Sequence, residues 1–248
     1  MIDLHTHILP GIDDGSRDVR ESLELIRTEQ EGGVNVIIAT PHFYAQKTSV
    51  NGFLERRARA YDKVMEAVSQ GSVRSDADQP GRPRILKGAE VYYFPGIGKA
   101  EHISSLTTEG TNTLLLEMPF SQWNRSVCSD VEDLIFRQGL KIVLAHVERY
   151  LSFQKDRKYW ERILSLDLLV QFNAEDIIRR SGLFGPDKKK KFCLEYIRNH
   201  DAFLLGSDCH NMTVRRPNLR EARDEIARLF GEEKLRVSDR LAQEVTGT

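Results

Sequence analysis

The chain opens with the stretch MIDLHTHILPGIDDG, residues 1–15, in which a short apolar run leads directly into polar groups. We predict a strand over Met1–Leu4 that ends at His5 and His7. Residues two apart on a strand point to the same face, so both imidazoles can reach one metal ion. A Pro-Gly turn then leads to Asp13 and Asp14. This stretch therefore predicts a strand whose carboxyl end carries metal-ligand groups.

Short apolar runs of the same kind recur along the chain, with helical patterns between them. We predict seven strands, at Met1–Leu4, Val34–Thr40, Arg84–Val91, Thr113–Glu117, Leu140–Ala145, Leu168–Phe172 and Ala202–Gly206. Their hydrophobicity is nearly continuous rather than alternating, which is typical of a parallel sheet covered by helices on both faces. We predict helices at roughly Ser16–Glu31, Gly52–Ser69, Ser126–Gln138, Tyr159–Leu166, Asp187–Asn199 and Asn218–Phe230. Ser16 is the predicted N-cap of the first helix.

The alternation of strand and helix favours either a βα barrel or a doubly wound sheet. The sequence has no internal repeat and no clear domain boundary, so we expect one domain over residues 1–248. The most linker-like segment, Gly71–Arg84, joins a helix to a strand and is better interpreted as a surface loop. Pro186 and the run Lys188–Lys191 predict a helix start with a basic first turn. We interpret those lysines as a solvated face rather than a docking patch for phosphopeptides.

The composition excludes several classes of protein. The chain has 248 residues, of which 40% are hydrophobic and 29% charged, as in ordinary globular proteins. A net charge of −1 gives no electrostatic reason to expect nucleic acid or an anionic membrane as the main partner. The three cysteines are too few and too scattered for a disulfide framework, and the N-terminal stretch lacks the features of a secretory signal. We therefore predict a cytoplasmic protein without membrane insertion.

Six of the seven predicted strands deliver His, Asp or Glu to their carboxyl ends, which form the ligand-binding face of parallel α/β folds. The nine candidate metal ligands are His5, His7, Asp14, His42, Glu90, Glu117, His146, Asp208 and His210. Buried carboxylates in this number would be strongly unfavourable without cations, and nine ligands exceed the needs of one ion. We therefore expect two or three ions such as Mn, Fe or Zn, sharing a carboxylate bridge. Asp13 could replace Asp14, Glu117 is marked only by its strand-end position, and His102 and His200 are interpreted as surface residues.

These motifs resemble the PHP (polymerase and histidinol phosphatase) superfamily over nearly the whole chain. The resemblance rests on H-T-H, D-D-G, T-P-H, G-A-E, a strand-end Glu, H-V-E-R and S-D-C-H, in that order, and residues 1–15 are its most specific part. The closer resemblance is to the bacterial protein-tyrosine phosphatases of capsule and exopolysaccharide synthesis, because Asp14 and Glu117 stand where other branches often have His. The resemblance implies a distorted (β/α)7 barrel that holds three metal ions, often manganese.

Transferred position by position, the resemblance implies three ligand sets. These are His5, His7, Glu90 and Asp208 for one ion, Glu90, Glu117 and His146 for a second with Glu90 bridging, and Asp14, His42 and His210 for the third. A hydroxide that bridges two ions is then expected to attack the phosphorus in line. Arg149 and Arg215 stand where the resembling phosphatases carry phosphate-binding arginines, and Arg216 is an adjacent alternative to Arg215.

The resemblance also implies the substrate, which is phosphotyrosine on the C-terminal tail of a partner bacterial tyrosine kinase. A phosphatase of a small metabolite such as histidinol phosphate would share the metals and is the alternative function. A thiol mechanism is a further alternative, because Cys209 and Arg215 have the C-x5-R spacing of thiol-based tyrosine phosphatases. The residues between them include no glycine and the anionic Asp208 adjoins the thiol, so we interpret the spacing as coincidental.

Overall fold

The computed structural model describes residues 1–72, 81–179 and 187–248, except for the side chains of residues 71 and 72. Residues 73–80 of the predicted loop Gly71–Arg84 lie outside the described residues, as does Pro186. Within the described ranges the strands are β1 Ile2–Thr6, β2 Val36–Ala39, β3 His42–Phe43, β4 Arg84–Lys87, β5 Glu90–Tyr92, β6 Thr113–Glu117, β7 Lys141–Leu144, β8 Leu168–Asn173 and β9 Leu204–Gly206. Every paired strand runs parallel to its neighbour.

The strands form a distorted barrel with seven strand positions, which we call staves. Two of the staves each consist of two short strands, β2 with β3 and β4 with β5, because two of the predicted strands are divided in two. Pro41 separates β2 from β3, and Gly88 and Ala89 separate β4 from β5. Backbone hydrogen bonds from Gly88 to Ala39 (2.8 Å) and from Glu90 to Pro41 (3.1 Å) continue the ladder across both breaks. The sheet order is β1-β2-β4 followed by β3-β5-β6-β7-β8-β9.

The barrel closes where β9 meets β1. Thr6 and Cys209 form an isolated parallel bridge. The amide of Asp208 donates to the carbonyl of His5 at 2.8 Å, and the amide of His7 donates to the carbonyl of Cys209 at 2.9 Å. The first and last strands are therefore joined at their carboxyl ends, which brings the first and the last of the sequence motifs, H-T-H and S-D-C-H, together.

Helices cover the outside of the barrel. They are α1 Val19–Glu31, α2 Val50–Ala67, α3 Arg125–Phe136, α4 Lys158–Leu164, α5 Ala174–Ile178, α6 Lys188–Asn199, α7 Leu219–Phe230 and α8 Glu232–Thr246. The predicted N-cap at Ser16 is wrong, because the Asp18 side chain accepts from the amide of Glu21 and caps α1. The short α5 and the C-terminal α8 are additions to the predicted helices. Among the described residues, no helix is long and apolar enough to cross a membrane.

Apolar side chains from six strands fill the inside of the barrel. They are Leu4, Ile38, Leu86, Leu115, Val143 and Leu204. Ala242 and Val245 of α8 pack against this cluster, and Glu244 pairs with Lys141 at the first residue of β7. Helix α8 therefore covers the amino end of the barrel and leaves the carboxyl end for the polar residues.

The lysines of the run Lys188–Lys191 lie in the first turn of α6, whose N-cap is Asp187. Three of them are paired with carboxylates: Lys189 with Asp176 at 3.8 Å, Lys190 with Glu225 at 3.4 Å and Lys191 with Glu195 at 3.7 Å. These pairings favour the interpretation as a solvated helix face over a phosphopeptide patch.

Candidate metal centre

The nine predicted ligands gather at the carboxyl end of the barrel. Seven of them are buried, whereas the side chain of His42 is 11% exposed and that of Asp14 is 67% exposed. The cluster is therefore deep on the side of β1 and β9 and opens to solvent at Asp14 and His42.

The deepest group is formed by four ligand atoms from the carboxyl end of β1 and the residue after it, from β5, and from the turn after β9. The Nε2 atoms of His5 and His7 lie 3.1 and 3.2 Å from Oε2 of Glu90 and 3.5 and 3.4 Å from Oδ1 of Asp208. The two Nε2 atoms are 3.1 Å apart. Ligands about 2.1 Å from a tetrahedral ion lie ~3.4 Å from one another, so these four atoms surround a space of the right size for one ion.

A second group of candidate ligands also includes the Glu90 carboxylate. Its Oε1 lies 2.8 Å from Nε2 of His146, which is 3.6 Å from Oε1 of Glu117. Nδ1 of His42 lies 2.9 Å from Oε2 of Glu90 and 3.8 Å from Oε2 of Glu117. Glu90 thus stands between two groups, as a bridging carboxylate would. His42 is closer to the second group than the family resemblance implies.

The outermost group contains Asp14, and the geometry bears on the choice between the two neighbouring aspartates. Oδ1 of Asp14 lies 3.4 Å from Nε2 of His42 and 3.6 Å from Nε2 of His210. Asp13 instead accepts hydrogen bonds from Nδ1 of His7 at 2.8 Å and from the amide of His42 at 2.9 Å. Asp14 is therefore the better candidate ligand, and Asp13 orients His7 and the start of β3.

Three of the histidines have their ring orientation fixed by an acceptor on Nδ1. These acceptors are the side chain of Gln171 for His5 (3.1 Å), that of Asp13 for His7 (2.8 Å) and the carbonyl of Asp208 for His210 (3.0 Å). An acceptor at Nδ1 requires the proton there, which leaves the lone pair of Nε2 free to bind a metal ion.

Several buried polar atoms in the cluster have no hydrogen-bond partner among the described residues. They are Nδ1 of His42, Oε2 of Glu90, Oε2 of Glu117, Oδ1 of Asp208 and Nε2 of His210. Native proteins rarely leave buried polar atoms unpaired, because the desolvation cost is about 1–3 kcal/mol for each neutral group and more for charges. Divalent cations would satisfy all five atoms, so the residues present fit a metal cluster.

Burial also sets the protonation states in the cluster. Burial, with the positive charge of Arg149, lowers the pKa of His146 to about 4. Burial, with the charge of His7, lowers the pKa of His210 to about 3. Both imidazoles are therefore neutral at pH 7 and can bind a cation without losing a proton. Burial and the neighbouring Glu90 raise the pKa of Glu117 to about 9, so a cation bound there would displace a proton.

Two candidate ligands lie in strained backbone at their strand ends. His146 has φ 32° and Asp208 has φ 53°, in the left-handed region that non-glycine residues seldom adopt. Gly206 permits the close approach next to Asp208, because a Cβ there would lie 2.6 Å from Cβ of His5 and 2.9 Å from Nε2 of Gln171. Strain of this kind is typical of functional sites.

Strand β8 supplies amides that orient the ligands and that are not among the site residues predicted from the sequence. Oε1 of Gln171 accepts from Nδ1 of His5 and from the amide of His146 at 3.0 Å. Its Nε2 donates to Asn173 at 3.1 Å, and Asn173 donates to Oδ2 of Asp208 at 2.7 Å. The signal available in the sequence was two amide residues, two apart, at the end of an otherwise apolar strand.

Replacing Gln171 with leucine is expected to weaken metal binding about 10- to 100-fold, because His5 loses the acceptor that fixes its ring. The measurement is titration of metal-free protein with Mn²⁺. Gln154→Leu is the matched control, since Gln154 is equally buried but binds the backbone of Ser121 and Trp123. Equal affinities in Gln171→Leu and the unaltered protein would contradict a role in orienting ligands.

Both predicted phosphate-binding arginines reach the cluster. An Nη2 atom from each of Arg149 and Arg215 contacts Oδ2 of Asp208, and the two side chains are 26% and 28% exposed. Burial alone would raise the pKa of Asp208, but His5, His7 and these guanidinium groups hold it well below its ordinary value. Arg216 is 62% exposed and faces Glu221 at 3.7 Å, so Arg215 is the better candidate.

Cys209 does not have the surroundings of a nucleophile. Its side chain is fully buried, and burial, with the nearby carboxyl groups of Glu29 and Asp3, raises the pKa of the thiol well above its ordinary value. A reactive thiol needs an electropositive, accessible setting, so the structure favours the metal interpretation of this loop. His102 and His200 are both exposed, as expected of surface residues.

Residues 1–241 match the family model described as "Capsular polysaccharide synthesis, CpsB/CapC". The chain belongs to the CpsB/CapC family. The predicted resemblance to the capsule branch is thereby confirmed. The tyrosine-protein phosphatase CpsB of Streptococcus agalactiae serotype III (strain NEM316) is 27% identical over 241 residues, covering 94% of this chain and 93% of that protein. The tyrosine-protein phosphatase YwqE of Bacillus subtilis (strain 168) is 27% identical over 237 residues, covering 94% and 86%.

A solved structure of this family has the same fold. It is described as belonging to YwqE from Bacillus subtilis and CpsB from Streptococcus pneumoniae, "unique metal-dependent tyrosine phosphatases". The match has a TM-score of 0.82 at 24% identity and covers 99% of this chain and 94% of the other. This match, with the strand order above, confirms the predicted distorted (β/α)7 barrel.

Proposed function

We propose that this chain is a metal-dependent protein-tyrosine phosphatase of capsule or exopolysaccharide synthesis. The observation that carries the proposal is the set of unpartnered His, Asp and Glu atoms buried at one end of the barrel beside two guanidinium groups. Membership of the CpsB/CapC family and the names of its members support the same function.

The nine candidate ligands would hold three divalent ions, with manganese as the first candidate and iron or zinc as the alternatives. Glu90 would help to hold two of them, because its carboxylate lies beside His5 and His7 of the deepest group and beside His42 and His146 of the second group. Divalent ions held in this way would lower the pKa of a water molecule from about 15.7 toward ~7 and so supply a nucleophile at neutral pH.

The protein's own side chains would bind and orient the phosphate. Arg149 and Arg215 meet at the outer oxygen of Asp208, at the rim of the cluster, where their guanidinium groups can donate to phosphoryl oxygens. Donors placed there stabilise the negative charge that develops on those oxygens during transfer. Asp208, whose other oxygen faces His5 and His7, would tie the arginines to the metal ligands.

Aromatic side chains beside the cluster favour a tyrosyl rather than an alkyl leaving group. The ring of Phe120 stacks on that of His146, with the ring centroids 6.3 Å apart. The centroid of the Phe153 ring lies 5.9 Å from that of Phe120. Phe120 and Phe153 are 38% and 40% exposed, so part of each ring is available to an aromatic substrate. A tyrosine phenolate, with a pKa of about 10, departs with little help from a general acid.

We further propose that residues 1–248 act as one domain in the cytoplasm, where three unpaired cysteines would remain reduced. The proposed substrate is phosphotyrosine on the C-terminal tail of a partner bacterial tyrosine kinase. The clustered ligands and arginines would accept such a tail without enclosing it, since Asp14 is exposed at the mouth of the site.

The substrate class is tested by comparing a phosphotyrosyl peptide with histidinol phosphate on the manganese-loaded protein. We expect kcat/KM for the peptide to exceed that for histidinol phosphate by at least about 100-fold, because an alkoxide leaves with more difficulty than a phenolate. Equal or faster turnover of histidinol phosphate would instead support a phosphatase of small metabolites.

Arg149→Lys and Arg215→Lys are each expected to lower kcat/KM for the peptide about 10- to 100-fold, because lysine cannot bind two phosphoryl oxygens with a planar fork. Arg216→Lys is the matched control, since Arg216 faces Glu221. Metal content, measured by elemental analysis, should stay at the level of the unaltered protein. If Arg216→Lys proved as damaging as Arg215→Lys, the assignment of Arg215 would fail.

A further inference from the structure

A cavity of about 340 Å³ opens directly beside the exposed side of the metal cluster. Asp14 and His42 form the wall that the cavity shares with the cluster. The rest of its lining is formed by Ile12, Asp13, Tyr44, Lys47, Thr48 and Arg56. We call it the Lys47–Arg56 pocket. A substrate bound at the cluster through its phosphate would therefore have this pocket next to it.

The wall of the pocket is held in place by packing. The ring of Tyr44 lies 5.2 Å from that of His42 and 5.6 Å from that of Tyr92. The amides of Lys47 and Thr48 both donate to the carbonyl of Tyr44, at 2.9 and 3.2 Å. After this turn the ammonium group of Lys47 lies over the Tyr44 ring, 4.2 Å from its centroid. The cation is thus positioned before any ligand arrives.

The pocket is lined by two basic and two acidic side chains, and both acidic ones are engaged with other groups. Among the described residues, neither Lys47 nor Arg56 is paired with a carboxylate. The two carboxylates of the lining are Asp13, which accepts hydrogen bonds from His7 and from the amide of His42, and the candidate ligand Asp14. With a divalent ion bound at Asp14, the positive charges of the ion, Lys47 and Arg56 would exceed the negative charges of Asp13 and Asp14.

We propose that the Lys47–Arg56 pocket binds the carboxylate of an acidic residue that flanks the phosphotyrosine of the peptide substrate. The proposal rests on the proposed phosphatase function, because it needs a phosphotyrosyl peptide at the cluster. A phosphotyrosine that reaches the ions brings its neighbouring residues to the rim of the site, where Asp14 and His42 adjoin the pocket. A carboxylate there matches the guanidinium of Arg56 and the ammonium of Lys47.

The experiment uses pairs of phosphotyrosyl peptides. The two peptides of a pair carry Glu or Gln at the position directly before or directly after the phosphotyrosine and are otherwise identical. For at least one position, the manganese-loaded protein should hydrolyse the Glu peptide with a kcat/KM about fivefold higher than its Gln partner, as expected for a partly exposed ion pair. The preference should shrink as NaCl is added, because salt screens exposed charges.

The double variant Lys47→Gln/Arg56→Gln should lose this preference, so that its ratio of Glu to Gln peptide falls toward one. Arg59→Gln is the matched control, since Arg59 lies in the same helix but pairs with Glu55 at 3.8 Å and is 66% exposed. It should keep the full preference.

Three results would overturn the proposal while leaving the phosphatase function intact. The first two are hydrolysis of all peptides without preference for Glu, and a preference that survives in the double variant. A stronger preference for a second phosphotyrosine than for Glu in the flanking position would likewise assign the pocket to a phosphate instead. Absence of any hydrolysis of phosphotyrosyl peptides by the metal-loaded protein would remove both the proposed function and this inference.

Discussion

Dialysis against EDTA is expected to abolish hydrolysis of phosphotyrosyl peptides, whereas Cys209→Ser is expected to keep most of the activity. Metal ions in such a cluster supply several kcal/mol of transition-state stabilisation, so their removal should lower kcat/KM about 1,000-fold or more. The thiol of Cys209 is fully buried, and burial beside carboxyl groups raises its pKa, so it lacks the exposure and the thiolate character that a nucleophile needs.

Restoration by metal ions separates loss of the cofactor from damage to the protein. Mn²⁺, Fe²⁺ and Zn²⁺ are added singly to the dialysed protein, and bound metal is measured by elemental analysis. We expect about three ions per chain at full activity. Fully active protein with fewer than two ions per chain, or an inactive Cys209→Ser variant that still binds metal, would contradict the proposed chemistry.

Glu90→Gln is the substitution expected to have the largest effect. The Glu90 carboxylate lies within 3.2 Å of ring nitrogens from His5, His7, His42 and His146, so it belongs to two groups of candidate ligands at once. Burial alone would raise the pKa of Glu90, but His5 and His42 hold it well below its ordinary value. An amide cannot replace an anion that bridges two cations, so we expect at least about a 1,000-fold loss of kcat/KM.

The same variant should also bind fewer metal ions, which is the readout that distinguishes a ligand from a residue that only contacts substrate. Glu109→Gln is the matched control, because Glu109 is half-exposed and pairs with Lys87 at 2.9 Å, away from the cluster. Circular dichroism should show the same secondary structure in both variants. Unchanged metal content in Glu90→Gln would remove Glu90 from the ligand set.

Much of the fold follows from the sequence because its strands are continuous apolar runs. The breaks at Pro41 and at Gly88 divide two of the predicted strands in two. They do not change the order of the strands around the barrel. Helix α8 was harder to predict, since its role is to cover the amino end of the barrel, and that end exists only after all seven staves have closed. The cap at Asp18 instead of Ser16 is a local difference of two residues, typical of helix ends.

The site was predictable to the extent that strand ends identify it. Convergence of nine His, Asp and Glu residues follows from a parallel barrel, because the carboxyl ends of parallel strands share one face. The choice of Asp14 over Asp13 was not predictable, since both follow the same turn, and only the bonds of Asp13 to His7 and to the amide of His42 separate them.

The sequence by itself determined the fold class, the face that carries the chemistry and the residue types gathered there, because each depends on strand periodicity and on which residues end a strand. The tertiary structure alone decided which nitrogen of each histidine faces the cluster and which basic side chains lie beside it. His5 takes its orientation from Gln171, 166 positions away. The Lys47–Arg56 pocket is lined by residues of a turn and of helix α2. Hydrogen-bond acceptors and unpaired charges act over a few ångströms, so their effects appear only when the closed barrel brings distant strands together.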